Sequence, residues 1–195
     1  MNFGPVFFFS NIMLGIGLAM DAFSVSLANG LNEPCMRKKK IFTIAGLFAF
    51  FQALMPVLGW FCIHTIAQHF KFFEKLIPWL ALILLSFIGI KMLIDGIKNK
   101  DEDACSTEGL GFTALIVQGI ATSIDALSVG FAIADYNLLS ALVAALIIAA
   151  VTFGICTAGV YIGRTAGTKL SGKAGIFGGV ILISIGIEIF VTGIF

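Results

Sequence analysis

The chain has 195 residues, of which 59% are hydrophobic and only 12% charged, and its net charge is +1. A soluble domain carries about 25% charged residues, so composition excludes an ordinary water-soluble protein and places the chain in the membrane class. The near-zero net charge leaves no electrostatic footprint for nucleic acid, and the first ten residues lack the basic n-region of a cleaved signal peptide.

Six apolar stretches are long enough to cross a bilayer, which takes about 20 helical residues each. They lie near 5–29, 41–64, 76–97, 111–134, 138–162 and 174–194. Backbone polar groups in lipid must be satisfied within the segment, so each is predicted to be a helix. A β-barrel needs short alternating strands, and a run such as residues 80–85 does not alternate. Ten of the 12 basic residues fall in the first, third and fifth inter-span regions, beginning with Arg37, Lys38, Lys39 and Lys40. The positive-inside rule then puts those regions in the cytoplasm and both termini outside. Trp60, Trp79, Tyr136 and Tyr161 fall near span ends, where interfacial aromatics belong. Pro56 is expected to kink the second helix, and Pro78 to sit near the start of the third.

Residues 101–108 are the only strongly acidic run and read as a solvated cytoplasmic linker. The chain thus divides into a first three-helix unit (1–100), a linker (101–110) and a second three-helix unit (111–195), together one membrane domain. Gly159 and Gly163, like Gly175 and Gly179, have the GxxxG spacing that permits close helix contact. The four cysteines show no CxxC spacing and are expected to be isolated reduced thiols.

One pattern occurs twice. Met20-Asp21-Ala22-Phe23-Ser24-Val25-Ser26-Leu27-Ala28 matches Ile124-Asp125-Ala126-Leu127-Ser128-Val129-Gly130-Phe131-Ala132 at five of nine positions. Residues 85–90 likewise resemble 182–187. The first and fourth spans therefore correspond, as do the third and sixth. Three spans is an odd number, so the two units enter the membrane from opposite sides. The expected fold is all-α, with six transmembrane helices in an inverted 3+3 repeat. In transporters such repeats place the site near the midplane at their interface.

The candidate site residues follow. An acidic side chain at the centre of a membrane helix costs about 2.5–3.5 kcal/mol on insertion scales. Two of them at equivalent repeat positions, Asp21 and Asp125, point to function. Ser24 and Ser128 lie three residues on and share a face with each aspartate; back-bonding to their own helix is the simpler alternative. Gln52 precedes Pro56, where a kink frees carbonyl groups. Met20 adjoins Asp21 and offers a thioether, though methionine is also common filler. Gln118, Asn29, Thr122 and Ser123 are weaker candidates, and Asn29 has the alternative of capping the first helix. Glu188 near the end of the last span has the alternative of snorkelling, His64 and His69 read as surface histidines, and Asp95 as solvated. Carboxylates, hydroxyls and an amide make an oxygen-rich site suited to Mg, Ca or Mn, and a thioether would shift it towards softer ions. No nucleophile–base pair or phosphate loop is present, so carrying an ion is favoured over an enzymatic reaction. No resident cofactor is expected.

At Met20-Asp21-Ala22-Phe23, at 52–60 with its Met55-Pro56, at Ala121-Thr122-Ser123-Ile124-Asp125-Ala126 and in the glycine-rich last span, the chain resembles the MntP family of bacterial manganese exporters. The resemblance covers all six spans. It implies a multi-pass protein of the bacterial cytoplasmic membrane that exports Mn(II) as its substrate. Some members carry an acidic residue at the position of Gln52, which changes the charge of the site. Moving one charge against 100 mV costs about 2.3 kcal/mol, so divalent export needs coupling. Exchange of one Mn(II) for two protons at two carboxylates would be electroneutral. The competing readings are an exporter of another divalent cation (Cd, Ca) or a small solute, a passive cation channel or subunit, and a membrane enzyme.

Overall fold

The computed structural model describes residues 4–65, 79, 82–83, 86–91, 93–94, 97, 111–133, 135–170 and 174–194. All regular structure among them is helical: α1 Pro5–Asn32, α2 Lys38–Thr65, α3 Phe112–Ala121, α4 Ile124–Ala132, α5 Leu138–Leu170 and α6 Ala174–Ile194. The acidic linker, His69, Pro78, Asp95, Cys105 and most of the third predicted span lie outside the described residues, and so does the side chain of Glu188. α1, α2 and α5 are each long and apolar enough to cross a membrane, and α3 with α4 passes the same test only when the bent pair is taken together, as a broken span or a re-entrant loop.

Local sequence sets the boundaries. Gly4 and Pro5 start α1, with the proline at a helix position that needs no N–H. Residues 33–37, with Pro34, turn the chain into α2. Gly111 precedes α3. α2 continues through Pro56 from Lys38 to Thr65, although a proline cannot donate to the carbonyl four residues back, here that of Gln52. α5 has 33 residues, about 50 Å at 1.5 Å per residue. That exceeds the roughly 30 Å hydrocarbon core, so α5 extends beyond the 138–162 expected from hydropathy.

Glycine lets the helices touch backbone to backbone. A Cβ at Gly163 would collide with the Leu27 carbonyl oxygen, and one at Gly159 would stand 2.9 Å from that of Phe23. Gly15 meets Ile148 and Val151. Contacts that advance together along both chains make α1 and α5 parallel. α2 and the α3–α4 pair are parallel by the same test: Gly119 lies against Phe48 and Phe51, and Gly59 against Leu127 and Gly130. Gly89 and Gly179 touch, and Trp79 stacks edge-on against Phe190 at 4.7 Å, so the third-span residues run antiparallel to α6.

The ends are tied by polar contacts. Trp60 Nε1 donates to the Tyr136 carbonyl at 2.9 Å, Arg164 Nε donates to that of Pro34 at 2.8 Å, and Lys40 pairs with Glu33. The cysteine expectation needs correction: Cys62 and Cys156 are free, but Cys35 is disulfide-bonded. Its spacing in sequence gave no sign of this because a bridge depends on tertiary proximity.

Candidate metal site where two helices cross

α1 crosses the α3–α4 pair in antiparallel fashion. Asn29 of α1 bonds Gln118 of α3, while Leu14 and Leu18 of α1 share an apolar cluster with Ala126 and Val129 of α4. Between these contacts the crossing brings Asp21 and Asp125 close enough for their charges to interact. Asp21 is half-buried and Asp125 is exposed.

The fourth span was expected as one helix over 111–134. It is broken instead, with a bend of 43° between α3 and α4. The break falls at Thr122-Ser123. Thr122 Oγ1 donates to the Gln118 carbonyl at 2.9 Å, and Ser123 Oγ donates to that of Gly119. Such back-bonding weakens and bends a helix. Asp125 therefore stands in the first turn of α4, where the helix dipole favours negative charge, and its Oδ1 accepts from the Ala126 N–H at 2.9 Å.

Gln52 of α2 is fully buried and reaches α1, where its Nε2 donates to the Leu18 carbonyl at 2.9 Å. Its Oε1 has no partner. An orphaned buried polar atom costs about 1–3 kcal/mol, and an unpartnered oxygen on a side chain anchored at Leu18, one turn before Asp21, suits a cation. Ser24 is half-buried and donates to the Met20 carbonyl at 3.1 Å, the back-bonding alternative, which leaves its lone pairs free. Ser128 is exposed on α4. Met20 is 57% exposed and continues an exposed stripe of Phe9, Met13 and Ile16 along α1. Asn29 does not cap α1 with its side chain; the helix runs on to Asn32.

Among the described residues no three His, Cys, Asp or Glu side chains cluster. A metal here would take its charge compensation from the two aspartates and its remaining ligands from neutral oxygens, a set that fits a hard or borderline divalent ion.

Sequence reasoning did not single out Thr152. Thr152 of α5 is fully buried with an unpartnered Oγ1, the condition of Gln52 in α2. The signal was available: Gly15 and Gly119 are 104 positions apart, and their neighbours Ile148 and Val151 are 100 positions from Phe48 and Phe51. The same 100-residue step carries Gln52 to Thr152. Because 100 differs from the motif's 104, a single offset applied to the whole chain hides it.

A protein-family model described as "Putative manganese efflux pump" matches residues 35–190. A Ruminiclostridium cellulolyticum protein named "Putative manganese efflux pump MntP" is 41% identical over 184 residues, covering 94% of this chain and 95% of its own. One from Clostridium botulinum, "Putative manganese efflux pump MntP 2", is 43% identical over 193 residues, with 93% of each chain covered. A Corynebacterium glutamicum relative, again named "Putative manganese efflux pump MntP", is 38% identical and covers 91% of this chain and 93% of its own. No solved structure matches. With a family match over most of its length and such relatives end to end, the chain belongs to the Mntp family of manganese efflux pumps.

Proposed function

We propose that this protein exports Mn(II) from the cytoplasm across the bacterial cytoplasmic membrane by alternating access, with the ion held where α1 crosses α3–α4. The reading rests on Asp21 and Asp125, one from each copy of the repeated motif, lying near enough for their charges to interact, beside a break in one of the two helices. Discontinuous helices at a repeat interface are where secondary transporters bind ions. Asp21 and Asp125 supply the charge, and Gln52 Oε1 supplies a neutral oxygen. The hydroxyls of Ser24 and Ser128 lie one turn away on the same helices.

The inverted repeat of six spans is part of this proposal. In its support, α1 and α3–α4 cross antiparallel, the third-span residues run antiparallel to α6, and the α1–α5 and α2–α4 pairs are both parallel. An inverted repeat requires that pattern. Two carboxylates that take up protons when the ion leaves would keep the exchange electroneutral. The orientation rests on the basic cluster of Arg37 to Lys40, at the start of α2, facing the cytoplasm. The Cys35 disulfide pulls the other way, since disulfides are rare there. A cysteine placed at Lys38 decides: it is expected to be protected from an impermeant thiol reagent in intact cells and labelled in inverted vesicles. Labelling from outside would reverse the orientation.

The function is tested by flux in vesicles holding the purified protein. Mn(II) is expected to accumulate against its gradient when a proton gradient is imposed and to stop when it is collapsed. Movement only down the Mn(II) gradient would make the protein a channel, and no movement at all would remove the transport reading.

A further inference from the structure

The crossing carries a second polar contact that the aspartate site does not use. Asn29 Nδ2 donates to Gln118 Oε1 at 2.8 Å, with both side chains buried. Asn29 Oδ1 and Gln118 Nε2 are left without partners. Two facing amides can satisfy each other with two bonds, and two apolar side chains would need none. This pair makes one bond and leaves one acceptor and one donor unfilled in the same buried place. A divalent cation supplies what the orphaned acceptor lacks: the metal takes the Asn29 amide oxygen directly or through a donating water, and parting the pair frees Gln118 Oε1 to do the same.

The surroundings lead outwards from this pair. A shallow crease with no room for a water molecule is lined by Asn29, Asn32, Glu33, Met36, Lys40 and Leu115 among others. The Glu33–Lys40 ion pair is part of its wall. Along α1, Glu33 is one turn beyond Asn29, and Asn29 is eight residues, about 12 Å, from Asp21. Carboxylate, amide pair and aspartates thus succeed one another along one seam between the two repeat units. The contact has no counterpart at the other end of the crossing. The positions related to Gln118 and Asn29 by the 104-residue step are Leu14 and Ile133, both apolar.

Resting on the transport reading above, we propose that Asn29 and Gln118 form the inner gate of the ion path, closed in this structure, at which a hydrated divalent cation drawn to Glu33 is held on its way to Asp21 and Asp125. Opening separates α1 from α3, and the arriving cation replaces Lys40 at Glu33.

The test is Asn29→Leu combined with Gln118→Met, which keeps the volume and removes every polar atom of the pair. Unsatisfied buried groups are lost, so the variant is expected to be at least as heat-stable as the wild type. Its Mn(II) transport, measured with the ion presented to the Lys40 side of reconstituted vesicles, is expected to fall about tenfold or more. Glu33→Gln is expected to raise the Mn(II) concentration for half-maximal transport several-fold, and an unchanged value would take Glu33 off the path. If the wild type transports and the stable double variant does so equally well, the gate is wrong and the transport reading stands. If the double variant does not fold, the pair is a structural requirement and the gate is overturned as well. If the wild type itself moves no Mn(II), the transport reading fails and the gate with it.

Discussion

α1 and the α3–α4 pair carry the same Asp-Ala-x-Ser-Val-x-x-Ala pattern, yet α1 is one helix of 28 residues and the other is bent by 43° just before its aspartate. The cause lies two and three residues ahead of each aspartate. There α1 has Leu18-Ala19, strong helix formers, and the other copy has Thr122-Ser123, whose hydroxyls bond back to the carbonyls of Gln118 and Gly119. Neighbours reinforce the difference. α1 lies in backbone contact with α5 from Gly15 to Leu31, and its Leu18 carbonyl receives the Gln52 amide from α2. Repetition therefore supplies two carboxylates on crossing helices, and divergence just before them makes one arm stiff and the other jointed.

Removing the charge from either arm is expected to have the largest effect. Asp21→Asn and Asp125→Asn keep the shape of each side chain and should insert normally, because a neutral group is cheaper to bury. Each is expected to cut Mn(II) export by roughly a hundredfold or more, since the ion then meets half its counter-charge. The readout is intracellular manganese and survival in a manganese-sensitive cell lacking its own exporter, at matched protein abundance. The double variant should be no worse than either single one if the two act as a unit. Full protection by either Asn variant at wild-type abundance would leave the carboxylates with a structural role only.

A smaller effect is expected from making the second arm resemble the first. Thr122→Leu with Ser123→Ala imports the α1 sequence at the break. The hydroxyls that hold α3 and α4 at an angle are gone, and the helix is expected to straighten. Both positions are fully buried, and neither new side chain introduces a polar group. Export should fall about tenfold, equivalent to about 1.4 kcal/mol on the slowest step, with Mn(II) binding retained. Unchanged export would show that the break is not a working joint.

How much of this was legible in the sequence differs between the two arms. Helices, membrane class and paired aspartates follow from apolar length and an exact motif, both of which are local. The break at Thr122-Ser123 was written in the sequence too, but as hydroxyls that in most helices are accommodated without a bend. The Gln52 bond to Leu18, the Asn29–Gln118 bond and the Cys35 disulfide were not legible, because each joins positions whose proximity depends on the helix arrangement. The equivalence of Thr152 with Gln52 was obscured by the change of repeat spacing between helix pairs.

Met20 sharpens the comparison from the other side, and the smallest effect is expected there. It sits next to Asp21, while its counterpart in the second arm is Ile124. A thioether in the ion's shell would make the two arms chemically unequal and would favour softer ions over Mg and Ca. The structure puts the side chain on the stripe with Phe9, Met13 and Ile16, whose exposure suits lipid contact. Leucine and methionine exchange with little change in volume, and on a lipid-facing stripe neither makes a specific contact. Met20→Leu is therefore expected to export Mn(II) within about twofold of the wild type and to keep the same preference over Ca(II) and Mg(II), well under the tenfold that 1.4 kcal/mol would produce. Competition flux in vesicles measures this directly. A loss of preference for Mn(II) at unchanged protein abundance would return the Met20 sulfur to the metal, and would require α1 to rotate Met20 towards the crossing during the transport cycle.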